Sequence, residues 1–448
     1  MNYESTTIQS LPPLYILASV LLIYLVVEVL LKWKKNWAIP AILTYGTIGL
    51  WYFTEIIYTP EVYMSFPPNI VESAFIQVIA FLLSFRLFVP YIVDKFSPKT
   101  FNSLSINIVI LKPDKLLYIL AGIWALLLTV GLSQANWDIT GVLLPVRARA
   151  GSIGLFARGG IGGGLDFLVS TAGYIYNLIC SLFGVIVFFQ KKINARIINI
   201  CLMIISWPMF VLLGTRNSLL FIIVPFFLTY LFVSKQKIRV KILFALLGFA
   251  VINYLMTIMI AFRNVGFEDY LSNIWEQSTV VKEQRHEGLN MAEELFYINN
   301  YLDKGIISIN YGSDYLADIS NVIPRGIWPD KPFIGLEYAQ LRSPGTGDSG
   351  ISATVSRGLV GGGVINFGTI FGPIAPAFLM AVWSGILARF WQQRASILRF
   401  ALFLVGLGVT PNLGRDFTLL VLWPIIFGYL ITLYLERREQ KKRRLTTS

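Results

Sequence analysis

Apolar runs long enough to cross a lipid bilayer recur along this chain, and they restrict its fold more than any other feature. A helix needs about 20 apolar residues to span a hydrocarbon core of roughly 30 Å. Charged residues make up only 14% of the chain, which excludes the surface of an ordinary soluble protein. The sequence therefore predicts an all-α polytopic membrane protein with about eleven transmembrane helices. The predicted spans are residues 14–31, 38–57, 74–93, 116–132, 168–189, 197–213, 219–233, 242–261, 364–387, 398–409 and 417–434.

The distribution of lysine and arginine predicts the orientation of these helices. The spans divide the connecting loops into two alternating sets, and cytoplasmic loops are enriched in Lys and Arg. The short loops of one set are all basic, as in residues 32–35 and in the carboxyl-terminal tail. The other set includes residues 1–13 and 58–73, which contain no Lys or Arg. The amino terminus is therefore expected outside and the carboxyl terminus in the cytoplasm.

One long polar stretch, residues 262–363, separates the eighth and ninth predicted spans. It is expected to form a large external loop domain between the helices of residues 1–261 and the last three spans and basic tail of residues 364–448. Its first part can form surface helices, including residues 291–301. Its later part is rich in turn signals, which end with three glycines at 361–363.

A second external segment, residues 147–166, carries three cations and is rich in glycine. That glycine density disfavours a regular helix and predicts a mobile loop.

Basic residues on the predicted external side of the membrane are the most informative polar residues. A guanidinium binds phosphate oxygens bidentately and keeps its charge, so a cluster of arginines suits a diphosphate at the level of the headgroups. Taken singly, an arginine at a helix end more often extends to lipid headgroups. Arg216 and Arg415 are the first choices because each lies in a short polar segment beside a helix. The full set is Arg216, Arg263, Arg325, Lys331, Arg357 and Arg415.

Two further residue types complete the candidate site. Asp330 and Asp416 are candidate general bases, although each is equally explained as the salt-bridge partner of a neighbouring cation. Trp328 and Tyr315 could stack on sugar rings or belong to the aromatic belt at the membrane interface.

Other chemistries lack the residues they need. His286 is the single histidine, so a histidine-based zinc site or a Ser-His-Asp triad has little to build from, and neither a metal nor another cofactor is expected. No phosphate-binding GxxxxGK[ST] loop occurs. The net charge of +12 lies in short clusters between apolar runs, which disfavours nucleic acid as a partner and favours membrane lipids.

Four segments resemble one family of membrane enzymes. They are GTRN at 214–217, YLADISNVIPRGIWPDKP at 315–332, NFGTIFGPIAPAFL at 366–379 and GRDF at 414–417. The chain resembles the Wzy-type O-antigen or oligosaccharide repeat-unit polymerases over roughly residues 200 to 434. This resemblance implies a GT-C-like fold in the inner (cytoplasmic) membrane. It also implies an inverting, metal-independent glycosyltransferase that acts at the periplasmic face.

The resemblance further implies the substrates and the roles of the candidate residues. Undecaprenyl-diphosphate-linked oligosaccharides would serve as donor and acceptor, and a polysaccharide chain-length regulator is an open partner. The arginines would stabilise the departing diphosphate. Two alternatives stay open: an O-antigen ligase-like glycosyltransferase, for which only His286 is available, and a transporter or flippase of lipid-linked oligosaccharides. The hints for transport are the membrane-edge charges Glu28, Glu55 and Arg86.

Overall fold

The computed structural model contains helices and connecting turns in the part of the chain that it describes. That part is residues 11–58, 60–96, 111–147, 155–156, 166–213, 216–264, 266–272, 290–320, 323, 327–328, 336–342, 356–415, 417 and 419–447. The helices of the first half are α1 Pro13–Leu31, α2 Ala38–Tyr52, α3 Thr54–Tyr58, α4 Glu61–Met64, α5 Pro68–Phe96, α6 Pro113–Gln134, α7 Ile139–Leu143, α8 Asp166–Ile186, α9 Ile193–Ser206 and α10 Pro208–Leu212. Those of the second half are α11 Arg216–Val233, α12 Ile238–Asn264, α13 Phe267–Ser272, α14 Met291–Asp303, α15 Ser313–Ser320, α16 Leu336–Arg342, α17 Leu359–Phe371, α18 Ile374–Gln392, α19 Ile397–Arg415 and α20 Leu419–Thr447. Over these residues the expected all-α class is confirmed.

Seven helical segments of the described chain are long and apolar enough to cross a membrane. They are Pro13–Leu31, Pro68–Phe96, Pro113–Gln134, Ile193–Leu212, Ile238–Met256, Ile374–Gln392 and Ile397–Arg415. Three shorter apolar helices accompany them, at Thr171–Ile186, Ser218–Val233 and Leu359–Phe371. The chain is therefore a membrane-spanning protein, while the count of eleven spans stays a prediction.

Helix α19 forms the centre of the bundle. In the apolar segment with which it could cross the membrane, 94% of the residues are buried, the largest share among the seven segments. It packs against α2, α8, α11, α17, α18 and α20, while α18 lies along α5 and α1 packs on α5 and α2. A helix surrounded in this way has no lipid-facing side, so its carboxyl end at Arg415 is held by protein on several sides.

A buried ion pair closes one end of this bundle. Arg399 at the start of α19 donates from Nε and Nη2 to Glu436 of α20, at 3.0 and 2.7 Å, and both side chains are buried. Ser396 donates to the same carboxylate at 3.0 Å. The pair thus fixes the register of α19 against α20 at the end away from Arg415.

The predicted ninth span, residues 364–387, is not a single helix. Gly368 has a φ of 76°, which interrupts the helix, and a new helix begins at Ile374. A Cβ placed on Gly363 would overlap the carbonyl oxygen of Gly372 and approach Pro376 Cδ to 2.7 Å, so the two limbs pack against each other. The first limb spans about 14 Å from Leu359, too short to cross a bilayer. Residues 359–376 therefore form a hairpin that leads into the long helix α18.

The same hairpin corrects the expectation of a turn at Gly361–Gly363. These three glycines lie inside α17 and are buried. Turn signals in glycine rest on backbone freedom, but here the absence of a side chain allows close helix packing instead. A Cβ on Gly361 would lie 2.6 Å from Ile298 of α14. The absence of side chains at these glycines therefore allows both α14 and α18 to pack closely against α17.

The helix expected at residues 291–301 is present as α14, although it is not a surface helix. Leu295, Phe296 and Ile298 are buried in the core, and α14 packs on α5 and α17. Gln77 of α5 and Asn299 of α14 exchange side-chain hydrogen bonds of 2.7 and 3.0 Å in the buried contact. The insertion is therefore anchored directly to the membrane helices.

Candidate active site

A buried ion pair joins α15 to the segment just before α17. Arg357 donates from Nη1 to Oδ2 of Asp314, and the two residues are 3% and 7% exposed. The side-chain amides of Asn310 and Asn366 donate to the same oxygen, each at 3.3 Å. Such a pair is stable in a protein interior because its charges are matched and its remaining polar atoms are hydrogen-bonded. We call Asn310, Asp314, Arg357 and Asn366 the buried charge cluster.

The backbone locks this cluster in place. Asp314 donates its amide N–H to Oδ1 of Asn366 at 3.2 Å, and Asn366 in turn donates to the carbonyl of Gly362 at 2.7 Å. The amide N–H of Asn310 donates to the carbonyl of Ile365 at 3.0 Å. Hydrogen bonds from both ends of residues 310–314 thus hold this segment against α17.

A second carboxylate lies one helical turn beyond the first. Asp318 is 4% exposed, and its Oδ1 atom is shielded from solvent. Residues four apart lie on the same face of a helix, so Asp314 and Asp318 share the buried face of α15. Helix α15 also contacts α20, which begins shortly after Arg415. The two buried carboxylates therefore lie on a helix that contacts both α17 and α20.

Consecutive aromatic residues at the end of α2 hold both sides of this region. Trp51 donates from Nε1 to the carbonyl of Pro411 in α19 at 2.6 Å. The hydroxyl of Tyr52 accepts the amide N–H of Val360 at 2.8 Å, in the first turn of α17. A Cβ on Gly414 would lie 2.7 Å from Trp51, so the last turn of α19 lies against this ring. The segments that carry Arg357 and Arg415 are therefore held by neighbouring residues of one helix.

A third set of polar contacts fixes the outer part of the insertion. Arg342 of α16 donates from Nε and Nη2 to Glu294 of α14, each at 3.0 Å, and its guanidinium lies 3.6 Å from the centre of the Tyr297 ring. Burial lowers the pKa of Arg342, but the hydrogen bonds and charge of Glu294 outweigh it and raise the pKa overall. Burial, with the charge of Glu294, raises the pKa of Tyr338. Arg342 thus remains charged and joins α16 to α14.

The described residues include four of the ten predicted site residues with their side chains. Arg357 lies in the buried charge cluster, where its partner is Asp314 rather than a predicted residue. Arg415 is the last residue of α19, partly buried, with its Nε atom shielded from solvent. Tyr315 stacks on Phe367, with ring centres 5.9 Å apart. Trp328 is partly buried.

For two other predicted residues only the backbone is described. Arg216 begins α11, and Arg263 lies in the last turn of α12. Arg325, Asp330, Lys331 and Asp416 lie outside the described residues. His286 also lies outside them, as does most of residues 147–166.

Sequence reasoning missed Asp314 and Asp318, two carboxylates that the fold buries. Asp318 lies in the segment 315–332, already singled out for its arginine and tryptophan, and Asp314 comes one residue before that segment. Their spacing of four was a usable signal, because it places two acids on one helical face. The pairing of Asp314 with Arg357, 43 residues away, had no local signal.

Two of the charged residues that suggested a transporter, Glu28 and Arg86, form an ion pair. Arg86 of α5 donates from Nε to Glu28 of α1 at 2.6 Å, and Lys32 donates to the same carboxylate at 2.6 Å. Glu28 and Arg86 thus compensate each other between two neighbouring helices.

Among the described residues, no group of three or more His, Cys, Asp or Glu side chains is placed to hold a metal ion. Comparison of the chain with protein-family models, with curated proteins and with solved structures gives no match in any of the three. The resemblance to repeat-unit polymerases therefore remains a prediction from the four segments quoted above.

Proposed function

We propose that this chain is a polysaccharide repeat-unit polymerase that uses polyprenyl-diphosphate-linked glycans. The hydroxyl of an acceptor sugar attacks the anomeric carbon of the donor glycan. A glycosidic bond forms, the bond from that carbon to the diphosphate oxygen breaks, and the hydroxyl proton passes to a carboxylate. The lipid diphosphate leaves with the electron pair of the broken bond. Eleven spans, with the insertion on the external side, belong to the same proposal.

The observation that carries the proposal is that one helix end holds both the segment of Arg415 and the segment of the buried charge cluster. Trp51 and Tyr52 bond to α19 and α17 respectively, which brings the segments of Arg415 and Arg357 to the same end of the bundle. Negative charge grows on the diphosphate as its bond breaks. Fixed cations that bind this charge more tightly in the transition state lower the barrier.

The arginines divide into two roles. Arg415 binds the departing diphosphate, together with Arg216, Arg263 and Arg325. Arg357 has its guanidinium committed to Asp314, so it acts as a positioning residue that holds α15 against α17. Lys331 and the rings of Trp328 and Tyr315 contribute to glycan binding.

Asp318 is the general base favoured by this arrangement, ahead of Asp330 and Asp416. It is buried, it lies one turn from a paired carboxylate, and its helix contacts α20. A carboxylate held away from bulk water can accept a proton without competition from solvent, which suits a hydroxyl nucleophile.

The test uses purified protein in detergent with lipid-linked repeat units as the only substrate. Arg415→Lys keeps the charge and loses the bidentate fork, so product length should collapse toward single repeats while the protein still elutes as a folded species. Arg239→Lys, at an exposed position at the start of α12, is the matched control and should give wild-type lengths. Wild-type polymer from Arg415→Lys would contradict the assignment.

The same assay separates the alternatives when a parallel reaction also contains a second acceptor glycolipid. A transporter needs two compartments and would form no polymer in detergent. A ligase would attach finished glycan to a second acceptor and would lose that attachment in His286→Ala. Polymer formed by the purified chain from lipid-linked repeats supports the polymerase over both.

A further inference from the structure

Helix α15 has its polarity reversed relative to a water-exposed helix. Its buried face carries Asp314, Ala317 and Asp318, while Leu316 and Ile319 on the opposite face are 51% and 60% exposed. A surface helix in water turns its apolar face to the core and its charges outward. The reverse arrangement suits a helix whose outer face meets hydrocarbon.

The neighbouring hairpin extends the same apolar surface. Ile370 and Phe371, just after the interruption at Gly368, are 74% and 68% exposed. The segment before α15 packs on this turn, because a Cβ on Gly368 would lie 3.0 Å from Ile309 and Tyr315 stacks on Phe367. We call this surface the insertion patch; its members are Tyr311, Leu316, Ile319, Phe367, Ile370 and Phe371.

Tyr311 adds an independent observation. Its side chain is 85% exposed, and its backbone has a φ of 47° in the left-handed region, followed by Gly312 at 86°. Bulky residues rarely adopt this conformation, and such strain persists only where the surroundings maintain it. Tyrosine is enriched at the boundary between headgroups and hydrocarbon, where its ring is apolar and its hydroxyl is hydrated.

The patch is continuous with the lipid-facing surface of the spans. Beyond Phe371 the hairpin leads into α18, where Phe378 is 48% exposed and contacts Phe88 of α5. Ile76 of α5 is 56% exposed, and α14 and α17 both pack on that helix. The patch therefore begins where the membrane surface of α5 and α18 ends.

We propose that α15 and the turn of the hairpin lie in the bilayer itself, with the insertion patch immersed at the boundary between headgroups and acyl chains. The occupant of the patch is the phospholipid leaflet on the side of the insertion. The buried charge cluster then lies directly inside a lipid-covered wall. This immersion is independent of the proposed polymerase activity, although it would give an anionic amphiphile a lateral route toward the cluster.

The test measures depth with a fluorophore and requires no activity. The chain has two cysteines, Cys180 and Cys201, so Cys180→Ser with Cys201→Ser provides the background. Ile370→Cys and Leu316→Cys are labelled separately with bimane in phosphatidylcholine nanodiscs. Phe249→Cys on α12, 72% exposed, is the lipid-facing control, and Gln236→Cys in the exposed turn before α12 is the water-facing control.

Immersion predicts that doxyl-labelled lipids quench the two patch positions at least half as strongly as position 249. It also predicts that aqueous iodide quenches them several-fold less than position 236. Iodide quenching equal to that at position 236, or doxyl quenching no greater than at that position, would overturn the proposal. If either variant fails to elute as a folded species, Ile319→Cys replaces it, because Ile319 lies on the same outer face.

Discussion

Arg357 and Asp314 form a buried ion pair that joins α15 to the segment leading into the hairpin of residues 359–376. Replacing Asp314 by Ala leaves a guanidinium buried without its carboxylate, which should lower the free energy of unfolding by about 3 kcal/mol or more. The measurement is thermal unfolding in detergent. The double variant with Arg357→Met removes both charges and should recover most of the loss. Additive losses would show that the two residues do not act as a pair.

Two neighbouring glycines of the hairpin should differ in how well they tolerate a side chain. A Cβ at Gly363 would overlap the carbonyl of Gly372, whereas a Cβ at Gly362 has no atom within 4 Å. Gly363→Ala should therefore destabilise the protein by about 1 to 3 kcal/mol, because the two limbs must separate. Gly362→Ala is the matched control and should be neutral or stabilising by up to about 1 kcal/mol, since alanine favours a helix. Equal midpoints of thermal unfolding for the two variants would argue against close packing of the limbs.

Trp51 should affect product length more than stability. Trp51→Phe removes the 2.6 Å hydrogen bond to the Pro411 carbonyl and keeps most of the aromatic packing. The last turn of α19, which ends at Arg415, would then be less firmly held, and turnover should fall by about ten-fold or more. Polymer length and initial rate are the measurements. Trp33→Phe, at an exposed position after α1, is the control and should leave both unchanged.

Glu293 gives the insertion a pH-dependent stability. Burial, with a smaller contribution from the charge of Glu294, raises the pKa of the Glu293 carboxyl above its ordinary value. The stability from this group is therefore complete below the unfolded-state pKa and is lost as the pH rises through the folded-state pKa. Glu293→Gln should raise the unfolding temperature near neutral pH, and the gain should vanish below about pH 4.

The adjacent carboxylate provides the contrast for that experiment. Glu294→Gln weakens the fork to Arg342, so this variant should be destabilised near neutral pH. A stability gain for Glu293→Gln that persists unchanged at low pH would show that the effect does not arise from ionisation.

The sequence by itself determined the class of fold and most of the helices. Length and apolarity suffice for this, since a backbone in hydrocarbon must satisfy its own hydrogen bonds within a helix. The predicted span at residues 398–409 was short only because the polar residues Thr410 and Asn412 end the apolar run. Both are buried in α19, which continues to Arg415.

Only the tertiary structure decided which polar residues meet. The hairpin at Gly368 depends on close contact between Gly363 and Gly372, although Gly363 belongs to a run of glycines that locally predicts a turn. Asp314 pairs with Arg357, which lies 43 residues away in the sequence, and Trp51 donates a hydrogen bond to Pro411, which lies 360 residues away. Such pairs are fixed by how the helices pack, because burial removes the competing water from each polar group, and no local pattern of residues carries that information.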